Sequence, residues 1–447
     1  MDITKKVGLW DIVLYATAMN FGIRWLAVGA ATGPVAIPIW VIAAVLFLVP
    51  LSMATMVLSD KFPGEGAIYA WTRETMGPFA GFLCGWIYWA CNIPFFCGLL
   101  VFIVNLAGRS IGGEAGHLLT QPTGVLVASS LILIVVGWMH SRGIAMGKWL
   151  SSGGAVVSIG LLLFLTGAGF YFNATVGSAT NFATASYVPK LDANAAILWA
   201  TMVFGYGGAE GVALLRNEAK GGAATIIRAL VLVGVGLAAA YVLGTAGMLM
   251  ILPQDTASRL DGLPGAMDVA VAKLQVAWLS PWLSGGLALV MLGGLSAWFG
   301  AAARLPFAAG IDHMLPAFIG KRDATTGAPY VAIWLQTGLT VAITIFSQAG
   351  VKTLAAVYDF IVQMSTLSYT LPFLFLFIAW WLADVRPRSR SISVLGFLVS
   401  LSAIICSFVP APGTGWGSTV KLAIATVVML VSGAGLYGLY LLRRKTS

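Results

Sequence analysis

The sequence predicts an all-α polytopic membrane protein of twelve transmembrane helices, built as an inverted five-plus-five repeat with two further helices. Three observations predict it. The 447 residues are 59% hydrophobic and only 9% charged, with mean hydropathy +0.92, more apolar surface than a soluble fold of this size can hide. Apolar runs near 20 residues recur along the whole chain, the length of a helical span and not of a barrel strand. Two of these runs are interrupted near their middle by glycine and polar residues, five spans apart.

The expected spans cover roughly 8–30, 38–58, 76–108, 122–139, 147–173, 193–216, 223–252, 282–310, 329–348, 352–383, 392–409 and 418–442. Met1–Gly8 is short and charged and runs straight into the first span, with no small-residue cleavage site, so no removable signal peptide is expected. With the N-terminus inside, eighteen Lys and Arg fall on the cytoplasmic side and six on the outer side. Arg24, within span 1, completes the 25. That bias accounts for the +9 charge without nucleic acid, and it places both termini in the cytoplasm of a cell (inner) membrane protein. Between spans 2 and 3, Glu65–Met76 sets Ile68, Tyr69, Trp71 and Thr72 at helical spacing, an expected interfacial helix. Leu263–Trp278 is expected as a short outer surface helix.

Span 6 carries one interruption. In Thr201–Glu218, Gly205, Gly207 and Gly208 fall within four positions, with Tyr206 among them, Phe204 before them and Glu210 just beyond. Close-set glycines are poor helix formers. Irregular backbone at membrane depth is tolerated only where it is buried in protein or lines a cavity. Lone glycines among 53 can be simple packing positions, but this cluster predicts an unwound segment. Span 1 carries the other interruption, Asn20-Phe21-Gly22-Ile23-Arg24. An odd number of spans per unit inverts the second unit, so the broken helices meet at the centre, the usual construction of a midplane substrate site. Repeat one is about 8–173 and repeat two about 193–383, giving a core over 1–383. The additional helices occupy 384–447.

Four stretches resemble the amino acid–polyamine–organocation (APC) superfamily of transporters. The loop Lys61-Phe62-Pro63-Gly64-Glu65-Gly66-Ala67-Ile68-Tyr69-Ala70-Trp71 resembles the family's "RFPEGGGIYVW". Gly77-Pro78-Phe79 with Gly81-Phe82 and Gly85-Trp86 is similar to "FGPFWGFLAGW". Ala303–Ala308, with Asp312 to Pro316, looks like the inner end of the family's span 8. Phe204–Glu210 resembles "FAFSGWE", and Asn217–Lys220 follows it like "GEVKNP". The resemblance implies an amino acid permease: a small amino acid or amine bound between the breaks of spans 1 and 6, its carboxylate on half-helix N–H groups and its amine on free carbonyls, with aromatics as gates. It covers spans 1 to 10. The chain departs from it at Asn20 and Phe21, where Gly-Ser is usual before the matching Gly22 and Ile23. It departs again at Arg24, and in lacking an acid in Met56–Ser59, Asp60 coming only at the loop.

Substrate contact is therefore expected from Asn20, Phe21, Gly22, Ile23, Arg24, Phe204, Gly205, Tyr206, Gly207, Gly208 and Trp298. Arg24 has three readings: a structural ion pair, a contact to a substrate carboxylate, or a stand-in for a coupling cation. Glu210 either caps the second half-helix or carries a proton. Asp359 in span 10 pairs with Arg24, takes part in coupling, or meets water at the outer end. Trp86, Trp89, Tyr206 and Trp298 are gate aromatics or belt residues. Phe299–Ala303 offers no hydroxyl for sodium, which leaves proton symport or exchange. Cys84, Cys91, Cys97 and Cys406 lie in spans, and His117, His140 and His313 are scattered, so neither disulfide nor metal is expected. No nucleophile motif, P-loop or cofactor motif occurs, so neither enzyme nor ATP-driven pump is expected, and no cofactor. The rival readings are a polyamine or organic-amine carrier and a substrate-sensing receptor. The short segment after Leu442 speaks against the receptor.

Overall fold

The computed structural model describes residues 8–63, 66–190, 192–213, 219–257, 261–348, 354–410 and 416–446, with side chains described outside 144–148, 223, 309–311, 346–348, 354–364, 368, 418 and 445–446. Span 1 is a bent pair, α1 (Leu9–Asn20) and α2 (Trp25–Thr32), meeting at 50°. Span 2 is α3 (Ala36–Ala43) and α4 (Val49–Lys61), joined by a π-helical stretch over Ala44–Leu48. The loop helix α5 (Ile68–Met76) buries Ile68, Tyr69, Trp71 and Thr72, the four positions whose spacing marked its apolar face. Gly77 then turns the chain at φ 90°, a conformation that costs glycine little, and Pro78 starts the next helix where its missing N–H is harmless.

Span 3 divides into α6 (Pro78–Ala90) and α7 (Asn92–Ile111), with α8 (Gly113–Thr120) after it. Spans 4 and 5 are α9 (Pro122–Ser141) and α10 (Ile144–Thr175). Span 6 is α11 (Ala193–Gly205), capped by Asp192 accepting the Ala195 N–H at 2.9 Å, then the short α12 (Ala209–Val212). Span 7 is α13 (Ala223–Ile251). The expected surface helix is α14 (Gly262–Lys273). It does not lie free on the surface, because Leu263, Pro264, Ala266, Met267 and Ala270 are buried against the bundle. Span 8 is α15 (Ser280–Ala302) continued by α16 (Arg304–Ile311). Spans 9 to 12 are α17 (Tyr330–Gln348), α18 (Leu354–Ala383), α19 (Pro387–Ser407) and α20 (Trp416–Thr446).

Among the described residues, nine helices are long and apolar enough to cross a membrane, or ten with the bent pair. The expected twelve is not reached on that measure. Span 6 gives only a 13-residue helix before its break, and span 9 a shorter apolar helix, Tyr330–Ile345.

Burial sorts the helices. The most apolar window of α6–α7 is 89% buried and that of α20 only 17%, so span 3 runs through the centre and span 12 along the rim. Helices touch where side chains are smallest. A Cβ added at Gly154 on α10 would sit 3.0 Å from the Cα of Gly293 on α15, a backbone-to-backbone crossing of the kind that packs membrane helices.

Candidate functional site

Both breaks lie at the centre of the bundle. Helix α1 ends where the Phe21 N–H bonds the Thr17 carbonyl at 2.8 Å, and α2 starts as the Trp25 N–H reaches Gly22 O at 2.8 Å. In span 6, the Gly207 N–H turns back to Phe204 O at 3.0 Å, and Gly208 takes φ 120°, which a residue with a Cβ rarely adopts. A Cβ on Gly208 would also strike the Asn20 side chain, so the two breaks touch.

One side chain from span 7 pins them. The Tyr241 hydroxyl donates to Gly205 O at 2.9 Å, lies 3.3 Å from Asn20 O, and accepts the Gly22 N–H at 3.2 Å. Its ring stacks on Trp40 at 4.1 Å, and Trp40 is fixed in turn through Nε1 to Thr245 Oγ1 at 3.1 Å. Trp298 Nε1 donates to Met19 O at 2.7 Å. Backbone groups released by the breaks thus find buried partners, as membrane depth demands.

The breaks border a cavity of about 60 Å³. Asn20, Phe21, Gly22, Arg24, Phe204, Gly205, Gly207 and Trp298 line it together. Ile23, Tyr206 and Gly208 do not. Ile23 is fully buried in packing. Tyr206 is also fully buried, and its hydroxyl turns away to Trp40 O at 3.0 Å. Trp86 and Trp89 likewise point elsewhere, to Met429 O on α20 at 3.0 Å and to Gln336 on α17 at 2.9 Å. Sequence reasoning did not find Trp25, Asn92, Phe95, Ser365 and Tyr369, which also line the wall. Asn92 opens α7 after the interruption at Cys91, and Pro94 in that first turn was an available signal for it.

Arg24 is 4% exposed, its guanidinium carbon 4.3 Å from the Trp25 ring centroid and 5.1 Å from that of Phe95. These rings hold a cation through their negative faces. Asp359 lies on α18, but its side chain falls outside the described residues.

Below the Gly207 end of the cavity, Glu210 is 1% exposed. Its Oε1 accepts from Tyr88 at 2.7 Å and from Tyr369, and its Oε2 accepts the Gly208 N–H at 3.1 Å. Tyr369 also packs edge-on to Phe204 at 5.2 Å and Trp298 at 5.6 Å, so this layer is continuous with the cavity floor. The loop helix α5 is tied to the segment after α16. Tyr69 donates to Asp312 Oδ2 at 2.6 Å, and Arg73 pairs with the same oxygen. Burial, then the Asp312 carboxylate, push the Tyr69 phenol above its ordinary value. The Asp312 hydrogen bond raises the Arg73 guanidinium.

His140 is buried in the bundle with Nε2 3.0 Å from Ser296 Oγ on α15. Among the described residues no cluster of three or more His, Cys, Asp or Glu could hold a metal, and the four cysteines are free thiols.

Two broken helices crossing at one cavity, in an all-helical membrane bundle, define the class of a secondary transporter fold. The fold is shared with MhsT, solved in complex with L-phenylalanine: TM-score 0.63, 13% identity, covering 90% of this chain and 98% of that one. The sequence model of the family described as "Amino acid permease" matches residues 7–432, and the chain belongs to that family. Curated relatives include the probable agmatine/putrescine antiporter AguD of Lactococcus lactis subsp. lactis (strain IL1403), 24% identical over 73% of this chain and 69% of that one. The aspartate/glutamate permease AcaP of Lactococcus lactis subsp. cremoris (strain MG1363) is 22% identical over 96% and 94%.

Proposed function

We propose that this chain is a secondary transporter carrying amino acids across the cell membrane by alternating access, with both termini in the cytoplasm. The observation that carries the reading is the cavity bordered by both breaks and pinned by Tyr241. Backbone freed at half-helix ends is the usual means of holding a carboxylate and an amine at the midplane. The Lys and Arg distribution supports the orientation. The core runs over 1–383, and 384–447 supplies two rim helices.

Coupling is assigned to Glu210, with proton symport or exchange as the mode. A carboxylate shared by two phenols under the cavity can exchange its hydrogen bonds as the floor opens, and so links proton occupancy to the state of the site. The name of AguD favours an amine substrate, but the described cavity lining holds no carboxylate to receive one.

The test is uptake in proteoliposomes with radiolabelled amino acids and amines, with and without a pH gradient. Amino acid flux is expected, and Glu210→Gln is expected to lose the gradient dependence. Binding without flux of any compound would overturn the transport reading.

A further inference from the structure

Asn20 closes α1 and Asn92 opens α7. Both line the cavity, and they are only 5% and 2% exposed. Each spends its Nδ2 on a carbonyl one helical turn back, Asn20 on Ala16 O at 2.7 Å and Asn92 on Tyr88 O at 2.6 Å. A carbonyl only accepts, so chemistry decides which end of each amide is nitrogen, and the Oδ1 end is left for the cavity. Among the described residues, neither Oδ1 has a hydrogen-bond donor. The Asn20 Oδ1 stands where the two breaks meet, since a Cβ added at Gly208 would strike it. The Gly208 N–H does not serve it, being given to Glu210 Oε2 at 3.1 Å.

Buried polar atoms are hydrogen-bonded as a rule, and an acceptor left without a donor costs free energy that a ligand's donor can recover. Backbone carbonyls of the breaks already have donors from within the protein. Met19 O accepts Trp298 Nε1 at 2.7 Å and Gly205 O the Tyr241 hydroxyl at 2.9 Å. Gly22 O accepts the Trp25 N–H at 2.8 Å and Phe204 O the Gly207 N–H at 3.0 Å. The two amide oxygens are acceptors without such a claim on them. A primary ammonium carries three N–H bonds on one atom and can satisfy both oxygens at once, whereas a hydroxyl satisfies one and a carboxylate neither.

On the basis of the transport reading above, we infer that Asn20 and Asn92 form the receptor for the substrate's primary ammonium. Their Oδ1 atoms accept two of its N–H bonds, the role expected of free backbone carbonyls. The site therefore discriminates against a nitrogen that has lost those N–H bonds by methylation.

The experiment measures equilibrium binding and thermal shift of the purified full chain against the standard primary amino acids and agmatine, in wild type, Asn20→Ala and Asn92→Ala. The tightest ligand is then compared with its N,N-dimethyl derivative, methylated at the α-nitrogen or at the amine of agmatine, which keeps one N–H there. In wild type the dimethyl derivative binds about 10- to 100-fold more weakly than its parent, the loss of a charge-assisted hydrogen bond. Each variant weakens the parent by about the same factor. The ratio of parent to dimethyl derivative shrinks with it, because one remaining acceptor needs only one N–H. A merely structural role would weaken both ligands alike and leave the ratio unchanged. An unchanged ratio in the variants, a dimethyl derivative that binds wild type as tightly as its parent, or no response to any compound of the panel overturns the inference. If Asn20→Ala does not fold, Asn92→Ala and the wild-type ratio decide. Flux of the tightest ligand in proteoliposomes with an unchanged ratio would keep the transport reading and overturn the ammonium receptor. A collapsed ratio without flux would do the reverse.

Discussion

Replacing Gly207 with alanine tests whether the span 6 break forms the binding surface. The backbone at Gly207 is not in the left-handed region, unlike that of Gly208, so an added methyl probes space and not backbone strain. That methyl would strike the Tyr369 ring and sit 3.1 Å from Phe204 O. The ring has little room to retreat. Its hydroxyl bonds Glu210, and its edges meet Phe204 at 5.2 Å, Trp298 at 5.6 Å and Phe373 at 5.1 Å. Overpacking of this kind costs about 1–3 kcal/mol, a factor of roughly 5 to 150 in an equilibrium constant. If the ring yields into the cavity, ligand affinity falls by that factor. If the bundle absorbs the strain, the ligand-free melting temperature falls instead. Gly236→Ala on α13 is the control: its Cβ would meet no heavy atom within 4 Å, and exchanging an exposed helical glycine is neutral or stabilising by up to about 1 kcal/mol. Both variants are measured by equilibrium binding and by thermal unfolding with and without ligand. Binding by Gly207→Ala within about twofold of wild type, with an unchanged melting temperature, would refute the reasoning.

Other variants probe the surrounding layers. Tyr88→Phe and Tyr369→Phe each remove a hydrogen bond to Glu210 Oε1, worth about 1.5–3 kcal/mol if the acceptor is charged. Because they share one acceptor, their effects on melting temperature and flux are expected to be non-additive, and strict additivity would count against the shared layer. Tyr241→Phe removes the hydroxyl that joins both breaks, so binding of every substrate is expected to weaken together; an altered substrate order with undiminished affinity would contradict this. Asp312→Asn releases Arg73 and loosens Tyr69; the Arg73–Asp312 pair is about one-quarter to one-third exposed, so its own loss is at most about 1 kcal/mol and shrinks in high salt, read as faster hydrogen exchange in α5. Gly300→Ala would push its methyl to 2.5 Å from His140 Cε1, costing about 1–3 kcal/mol. His140→Ala in the same chain should recover part of that loss in a thermal melt.

The spans were legible because hydropathy over 20 residues is a local property, and α13, α18 and α20 begin and end within a few residues of the runs that predicted them. The break residues were legible for the same reason, since glycine clustering and a mid-span Arg24 are visible in the string. Side-chain direction was not. Helical periodicity fails where the helix unwinds, so nothing local distinguished Phe204, which faces the cavity, from Tyr206, two residues on, which bonds Trp40. Tyr241 carried no signal either: one tyrosine in an apolar helix becomes the clasp of both breaks only through contacts some 220 and 36 residues away in the chain. This division has a physical consequence. The clasp comes from spans 2 and 7 and engages backbone atoms, so it holds the two breaks whatever side chains span 1 presents. Phe21 and Arg24, which depart from the family pattern, border the cavity without making the clasp's hydrogen bonds. Backbone architecture and cavity lining can therefore vary separately in this fold, and the departures at Phe21 and Arg24 fall on the side of the lining.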